Sequence, residues 1–271
     1  MSPAPISAEI GVFGGSGFYA FLDDVVEVAV HTPYGAPSAP VAVGTVADRR
    51  VAFLPRHGAH HELPPHRVDF RANVWALHSL GVTRVIGPCA AGSLRSDRRP
   101  GEVVVLDQLV DRTSGRSRDT FFDGGVAGHV SFSDPYCGEL APFAVAAARS
   151  SGVTVHDGGT VVVVPGPRFS TRAESAYFAR QGWDVINMTQ YPEAYLCREL
   201  GLCYCGMALV TDFDNLPGES PVRMDEVFRV LRSNVDRTRS LLFELIPRIP
   251  AQRTPSSCAC ASALDQGPLG S

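Results

Sequence analysis

Leu202-Cys203-Tyr204-Cys205-Gly206-Met207-Ala208-Leu209-Val210-Thr211-Asp212-Phe213-Asp214 runs apolar from 202 to 210 and then ends on a hydroxyl and two carboxylates. So long a run without polar alternation reads as a strand covered on both faces, the pattern of a largely parallel sheet with helices on each side. In open α/β sheets, ligands collect at the C-terminal edge of the strands. Asp212 and Asp214 stand at such an edge. A solvated acidic turn has the same local composition, so the pair gains meaning only from the segments around it.

Outward from that strand, apolar runs rich in β-branched residues recur over 10–13, 25–30, 41–46, 51–54, 82–86, 103–106 and 161–164. Helical spacing of apolar residues predicts helices over 67–80, 142–151, 172–181, 192–200 and 224–245, the last with Val227, Leu231, Val235, Leu241 and Leu245 in its stripe. Strands and helices mix throughout, with hairpin-like pairs near the start. The expected fold is α/β, a single domain (1–249) with a twisted mixed central sheet flanked by helices. Beyond it, 250–271 is rich in Ser, Ala, Pro and Gly and reads as a flexible tail, with the Cys258-Ala259-Cys260 pair incidental to it.

Composition removes several chemistries. With 271 residues and 45% hydrophobic content the chain can bury a substantial core. All 24 basic residues are arginine. Without lysine there is no Schiff base, no pyridoxal-phosphate attachment and no Walker-type phosphate loop, so bound phosphate must be held by arginine, hydroxyls and backbone. A net charge of −4 without a basic run argues against nucleic acid as ligand. The seven cysteines lack paired CxxC spacing, and no apolar run approaches the roughly 20 residues of a spanning helix. A cytoplasmic protein without membrane partners is expected.

Further segments carry candidate chemistry. Gly14-Gly15-Ser16-Gly17 follows the first strand, where glycines let backbone amides approach an anion. It also matches a dinucleotide fingerprint, but only 18–24 separates it from the next strand, too short for the helix that such a site requires. Pro55-Arg56-His57-Gly58 ends another strand and sets a guanidinium beside an imidazole, donors suited to a dianion; a basic surface turn reads the same way. His57, His61 and His66 lack the i, i+4 register of a helical zinc site, and no metal is expected. Cys89-Ala90-Ala91-Gly92-Ser93 offers small residues after a strand and reads equally as a tight turn. Ser170 and Thr171 open a helix, where a hydroxyl caps the helix or binds an oxyanion.

Taken together, Gly-Gly-Ser-Gly at 14–17, Leu54-Pro55-Arg56-His57-Gly58, Gly166-Pro167-Arg168-Phe169-Ser170-Thr171-Arg172-Ala173-Glu174 and Val185-Ile186-Asn187-Met188-Thr189 resemble the trimeric purine nucleoside phosphorylase superfamily, most closely its 5′-methylthioadenosine phosphorylase branch. The resemblance spans roughly 10–247. It implies a homotrimer without cofactor, with inorganic phosphate as co-substrate. Phosphate would be held by Ser16, Arg56, His57, the Ala90 backbone, Ser170 and Thr189. Met188 would meet the ribose and Phe169 the base, with Asp212 and Asp214 on the polar edge of the purine. His61 would line the ribose end, and a neighbouring subunit would contribute His129 near the 5′ substituent. Val227 and Phe228 would wall the 5′ group.

The reaction implied is phosphorolysis of 5′-methylthioadenosine to adenine and 5-methylthioribose 1-phosphate. As C1′–N9 breaks, positive charge grows on the sugar and negative charge on the purine, so an anion at C1′ and a proton at N7 both help. For Asp212 to donate at neutral pH its pKa must rise by about three units, about 4 kcal/mol. Carboxylate oxygens accept from the 6-amino group of adenine, whereas a 6-oxopurine offers another acceptor. The superfamily's inosine and guanosine enzymes carry asparagine at the position of Asp212. Two departures stand out: Cys89 replaces a common threonine in the phosphate loop, and 215–221 differs from the expected loop. Open alternatives are a 5′-chloro or 5′-fluoro adenosine, a 6-oxopurine nucleoside, hydrolysis by water, and binding without catalysis.

Overall fold

The structure, a computed structural model, describes residues 6–14, 22–116, 118–124, 128–253 and 258–266, apart from the side chains of 231, 233–235 and 264–266. Along the chain run β1 (Ile10–Gly14), β2 (Asp23–Val28), β3 (Val41–Val46), β4 (Arg49–Pro55), α1 (Phe70–Ser79), β5 (Arg84–Ser93), β6 (Val103–Val105) and β7 (Gln108–Asp111). There follow α2 (Ala141–Ser150), β8 (Val155–Asp157), β9 (Thr160–Val163), α3 (Arg172–Arg180), β10 (Val185–Asn187), α4 (Gln190–Glu199), β11 (Cys203–Asp212) and α5 (Met224–Leu245). Among the described residues the eleven strands form one mixed sheet, in which β2, β3 and β4 join by antiparallel pairing while β4, β1, β5 and β11 run parallel.

Helices cover both faces, which explains the unbroken apolar runs. On one face Phe13, Ala52 and Leu54 pack with Val74 and Leu77 of α1 and with Ala194 and Leu196 of α4. On the other, Ile10, Val12, Val51 and Phe53 share a core with Ala144 and Ala148 of α2 and with Leu241, Leu242 and Leu245 of α5. Neighbouring strand residues thus enter opposite cores, as the two-residue period of a strand requires. Val227 of the predicted α5 stripe is also buried, whereas the side chains of Leu231 and Val235 lie outside the described residues.

The longest departure from the expected elements is at β5. The 82–86 run predicts a short strand with a turn after it, yet the strand continues through Cys89 and Ala90 to Ser93. The two glycines there follow from close neighbours, Tyr204 at Gly87 and Asp212, Asp214 and Ile186 at Gly92. β11 lies parallel along one edge of β5 from Arg84 to Gly92. The other edge is divided: β1 pairs only with Arg84, Val85 and Ile86, and antiparallel β10 only with Gly92 and Ser93. Between them 87–91 has no strand partner on that side among the described residues, which leaves a gap in the ladder at the C-terminal ends of β1 and β4. β10 itself, three residues long, carries no periodic signal of its own.

The gap is lined by side chains that replace the missing ladder. Gln190 Nε2 donates to Gly87 O at 3.1 Å and Arg56 Nη1 to Pro88 O at 3.0 Å. The 250–271 stretch, expected as a loose tail, has described parts that pack: Cys258, Cys260 and Ala263 are buried, and Arg253 donates to Gly201 O at 2.6 Å. A methyl group added at Gly87 would overlap the hydroxyl of fully buried Tyr204. Gly87→Ala is therefore expected to lower stability by about 1–3 kcal/mol, the cost of an overpacked core. Urea denaturation should show an earlier midpoint; an unchanged midpoint would mean that Tyr204 shifts freely.

Candidate active site

Four parallel strands deliver their C-terminal ends to one side of the gap. β4 ends at Pro55, and Arg56 follows it with its amide donating to Gly14 O at 3.0 Å, the last residue of β1. Ser16 itself lies outside the described residues. β11 delivers Asp212 opposite Gly92 of β5, with a register shift after Val210. Glycine is required at 92, because a Cβ there would stand 2.9 Å from Asp212 Oδ1 and 3.1 Å from Asp214 Cβ. Ala90 lies two residues earlier on β5, so its backbone is about 7 Å along the strand from the carboxyl pair.

Arg56 is 3% exposed and holds a buried partner that no sequence pattern reveals. Its Nε and Nη2 donate to Glu193 of α4 at 2.6 and 2.7 Å, and the Tyr204 hydroxyl donates to the same carboxylate at 2.5 Å. Burial pulls the guanidinium pKa down, but Glu193 more than offsets it, so Arg56 stays charged. Three of its five N–H groups are used, by Glu193 twice and by Pro88 O, which leaves two for a ligand. The fork itself faces Glu193 and not an open site.

His57 also differs from its expected part. Its Nδ1 lies 2.8 Å from Leu63 O, and a carbonyl only accepts, so the ring hydrogen sits on Nδ1 and Nε2 carries a lone pair. Burial, then the charge of Arg56, pushes its pKa down to about 4, which keeps it neutral. The imidazole expected as a donor is thus an acceptor, suited to the hydroxyl of a protonated phosphate. Its ring lies 4.6 Å from that of His61, which in turn meets Phe228 of α5 edge-on at 5.7 Å. The start of α5, with Val227 buried and Phe228 half-buried, therefore reaches the same place.

The two hydroxyls before α3 divide the tasks that sequence leaves open. Thr171 caps the helix, accepting from Glu174 N at 3.2 Å while Glu174 accepts from Thr171 N at 2.7 Å. Ser170 Oγ is buried and makes no well-formed hydrogen bond among the described residues, but it lies close enough to Asp214 to pull that carboxyl's pKa down. Thr189 is buried before α4 without capping it, and among the described residues receives only a long 3.4 Å contact from Asn187 Nδ2. Met188 O accepts from Arg116 Nη2 at 2.6 Å, a tether that sequence does not indicate. Cys89 is a buried thiol 3.7 Å from Met207 O, and burial raises its pKa to about 11, so it adds no negative charge.

The carboxyl pair is held by short bonds on its outer side. Asp212 accepts from Thr211 Oγ1 and from Asp214 N, each at 2.7 Å, and Ser175 Oγ donates to Asp214 at 2.5 Å. Burial raises both pKa values, and for Asp214 the charge of Asp212 adds to it. Asn215 donates to Ser170 O at 2.7 Å and accepts from Val222 N at 3.1 Å, which ties the 215–221 loop to the segment bearing Phe169, itself half-buried. His129 is exposed and joins none of these groups. It lines a separate cleft of ≈ 480 Å³ with Phe122, Phe132, Tyr191 and Tyr195.

This arrangement has counterparts. The phosphorylase superfamily model matches residues 9–247. A purine nucleoside phosphorylase of Streptomyces coelicolor is 53% identical over 268 residues, 96% of this chain and 95% of its own. An S-methyl-5′-thioadenosine phosphorylase of Mycolicibacterium smegmatis is 54% identical over 257 residues, 94% of this chain and 96% of its own. Among solved structures, a methylthioadenosine phosphorylase from an antarctic soil metagenomic library superposes with a TM-score of 0.91 at 37% identity, covering 97% of this chain and 93% of that one.

A carboxyl whose folded pKa is raised binds its proton more readily in the folded chain. Its stabilisation is present below the ordinary aspartate value of about 3.9 and is lost as pH rises through the raised value. Asp212→Asn removes that loss while keeping an acceptor for Asp214 N. The variant should gain stability relative to the parent as pH rises above the ordinary aspartate range. Urea midpoints measured along that rise test this; a constant difference would mean that Asp212 titrates normally.

Proposed function

The chain belongs to the phosphorylase superfamily, and from that premise we propose that it cleaves the N-glycosidic bond of 5′-methylthioadenosine with inorganic phosphate, releasing adenine and 5-methylthioribose 1-phosphate. The observation that carries this reading is the carboxyl pair at Gly92 of β5, with both pKa values raised by burial, on the same strand whose Pro88 O holds Arg56. A phosphate oxygen forms the new bond to C1′ while the C1′–N9 electron pair leaves with the purine. Asp212 gives its proton to N7 and Asp214 accepts from the 6-amino group.

On the phosphate side, the two spare N–H groups of Arg56 and the hydroxyls of Ser170 and Thr189 donate, and His57 Nε2 accepts from the phosphate hydroxyl. Ser16 and the Ala90 backbone complete that shell. Met188 lies against the ribose and Phe169 against the base, while His61, Val227 and Phe228 enclose the 5′ end. No protein nucleophile and no cofactor is needed, because phosphate is the nucleophile.

A homotrimer gives His129 a use that a single chain does not. The aromatic cleft beside it is the kind of surface that a second copy fills, and a neighbour's His129 then reaches the 5′ substituent. Seven free thiols support a reducing, cytoplasmic setting, and no helix among the described residues is long and apolar enough to cross a membrane.

The name of the Streptomyces relative favours a second reading, phosphorolysis of 6-oxopurine nucleosides. Base preference separates the two. Adenine release from methylthioadenosine should require added phosphate, and Asp212→Asn should lower its kcat/KM on the order of 10²–10⁴-fold, the usual worth of a positioned acid. The same change should cost inosine far less. Equal release in phosphate-free buffer, or inosine preferred by the parent enzyme, would overturn the proposal.

A further inference from the structure

Away from the nucleoside site, the fold gathers four sulfurs that no local spacing announces. Cys137 precedes α2, Cys203 begins β11, and Cys258 and Cys260 come from the C-terminal stretch; all four are buried and their Sγ atoms lie within 4.8 Å of one another. Cys258 Sγ is 3.7 Å from Cys137 Sγ and 3.2 Å from Cys203 Sγ. Four sulfurs about 2.3 Å from a tetrahedral zinc ion stand about 3.8 Å apart, whereas bonded sulfurs are about 2.05 Å apart. No pair is bonded, and the four sulfurs are gathered closely enough for one ion to reach them all.

We propose that Cys137, Cys203, Cys258 and Cys260 form a structural zinc site. Sequence reading misses it because the usual paired CxxC is absent: one C-x-C supplies two ligands and two distant segments supply one each. Zinc is favoured by four thiolates in a closed, apolar setting, here among Ile86, Leu140, Met207 and Ile249. Binding displaces four thiol protons to solvent and leaves a complex of charge −2. Arg84, 1% exposed, places Nη1 3.3 Å from Cys203 Sγ and so sets a cation against that charge. The same guanidinium pairs with Glu139 and donates to Gln252 O at 2.9 Å, which joins the ligand shell to the C-terminal stretch. The site would staple that stretch to β11 and to the loop before α2.

The test uses the full chain, purified with zinc supplied and then desalted. Elemental analysis should find roughly one zinc per chain, as a four-ligand site requires. All seven cysteines should titrate as thiols after denaturation and chelation under non-reducing conditions. Cobalt(II) added to the stripped chain should produce the visible bands of a tetrahedral thiolate complex. The Cys258→Ser/Cys260→Ser variant should lose both the zinc and the cobalt bands and melt several degrees lower, with phosphorolysis retained. Cys137→Ser, which leaves the C-terminal stretch intact, should bind cobalt with altered bands or not at all. A metal-free parent with four fewer thiols, hence two disulfides, would overturn the proposal. Equal zinc in the double variant, or iron in place of zinc, would do so too.

Discussion

A guanidinium buried beside the C-terminal ends of β1 and β4 has to be neutralised and hydrogen-bonded, or it would not stay folded in. Glu193 supplies both, with Tyr204 donating to the same carboxylate and Pro88 O taking a further N–H. The consequence for chemistry is an arginine locked in orientation with two donors unspent. An exposed arginine would have to be ordered by whatever anion it met; this one is ordered by α4 and β5 beforehand. Neutral His57 fits the same logic, because its Nδ1–H is spent on Leu63 O and its acceptor nitrogen is left free.

The gap along β5 decides where such groups can gather. β11 pairs with the strand along one edge, but among the described residues β1 and β10 leave 87–91 unpaired on the other. Arg56 and Gln190 reach into that opening, and Gly92 brings the carboxyl pair against the strand beyond it. Asp212 and Asp214 are polarised oppositely to Arg56: burial favours their neutral forms, while Glu193 preserves the arginine's charge. A reaction that develops positive charge on a sugar and negative charge on its leaving group is served by that contrast.

Much of this was legible in sequence. Apolar runs at 202–210 and 51–54 identify buried strands, because their side chains enter two cores in turn, and the carboxylates and Arg56 fall at strand ends as expected. The extension of β5 was not, since Cys89-Ala90-Ala91-Gly92 has turn-like composition and becomes a strand only through β11. Glu193 and Ser175 were hidden for a related reason: each is an ordinary polar residue of an amphipathic helix until tertiary packing aims it at Arg56 or Asp214. Which nitrogen of His57 carries the hydrogen was hidden too, because it depends on a carbonyl six residues away. Thiol clustering was equally non-local, with Cys137 and Cys258 far apart in the chain.

The central claim is that Arg56, though paired with Glu193, still grips phosphate. Calorimetric titration of inorganic phosphate into the parent chain and into an Arg56→Gln/Glu193→Gln double variant tests it without leaving a buried charge unpaired. Affinity lower in the variant on the order of tenfold to hundredfold, the worth of one or two charge-assisted hydrogen bonds, is the predicted result. Equal affinity in the two folded proteins would contradict it and leave the pair as a piece of the core.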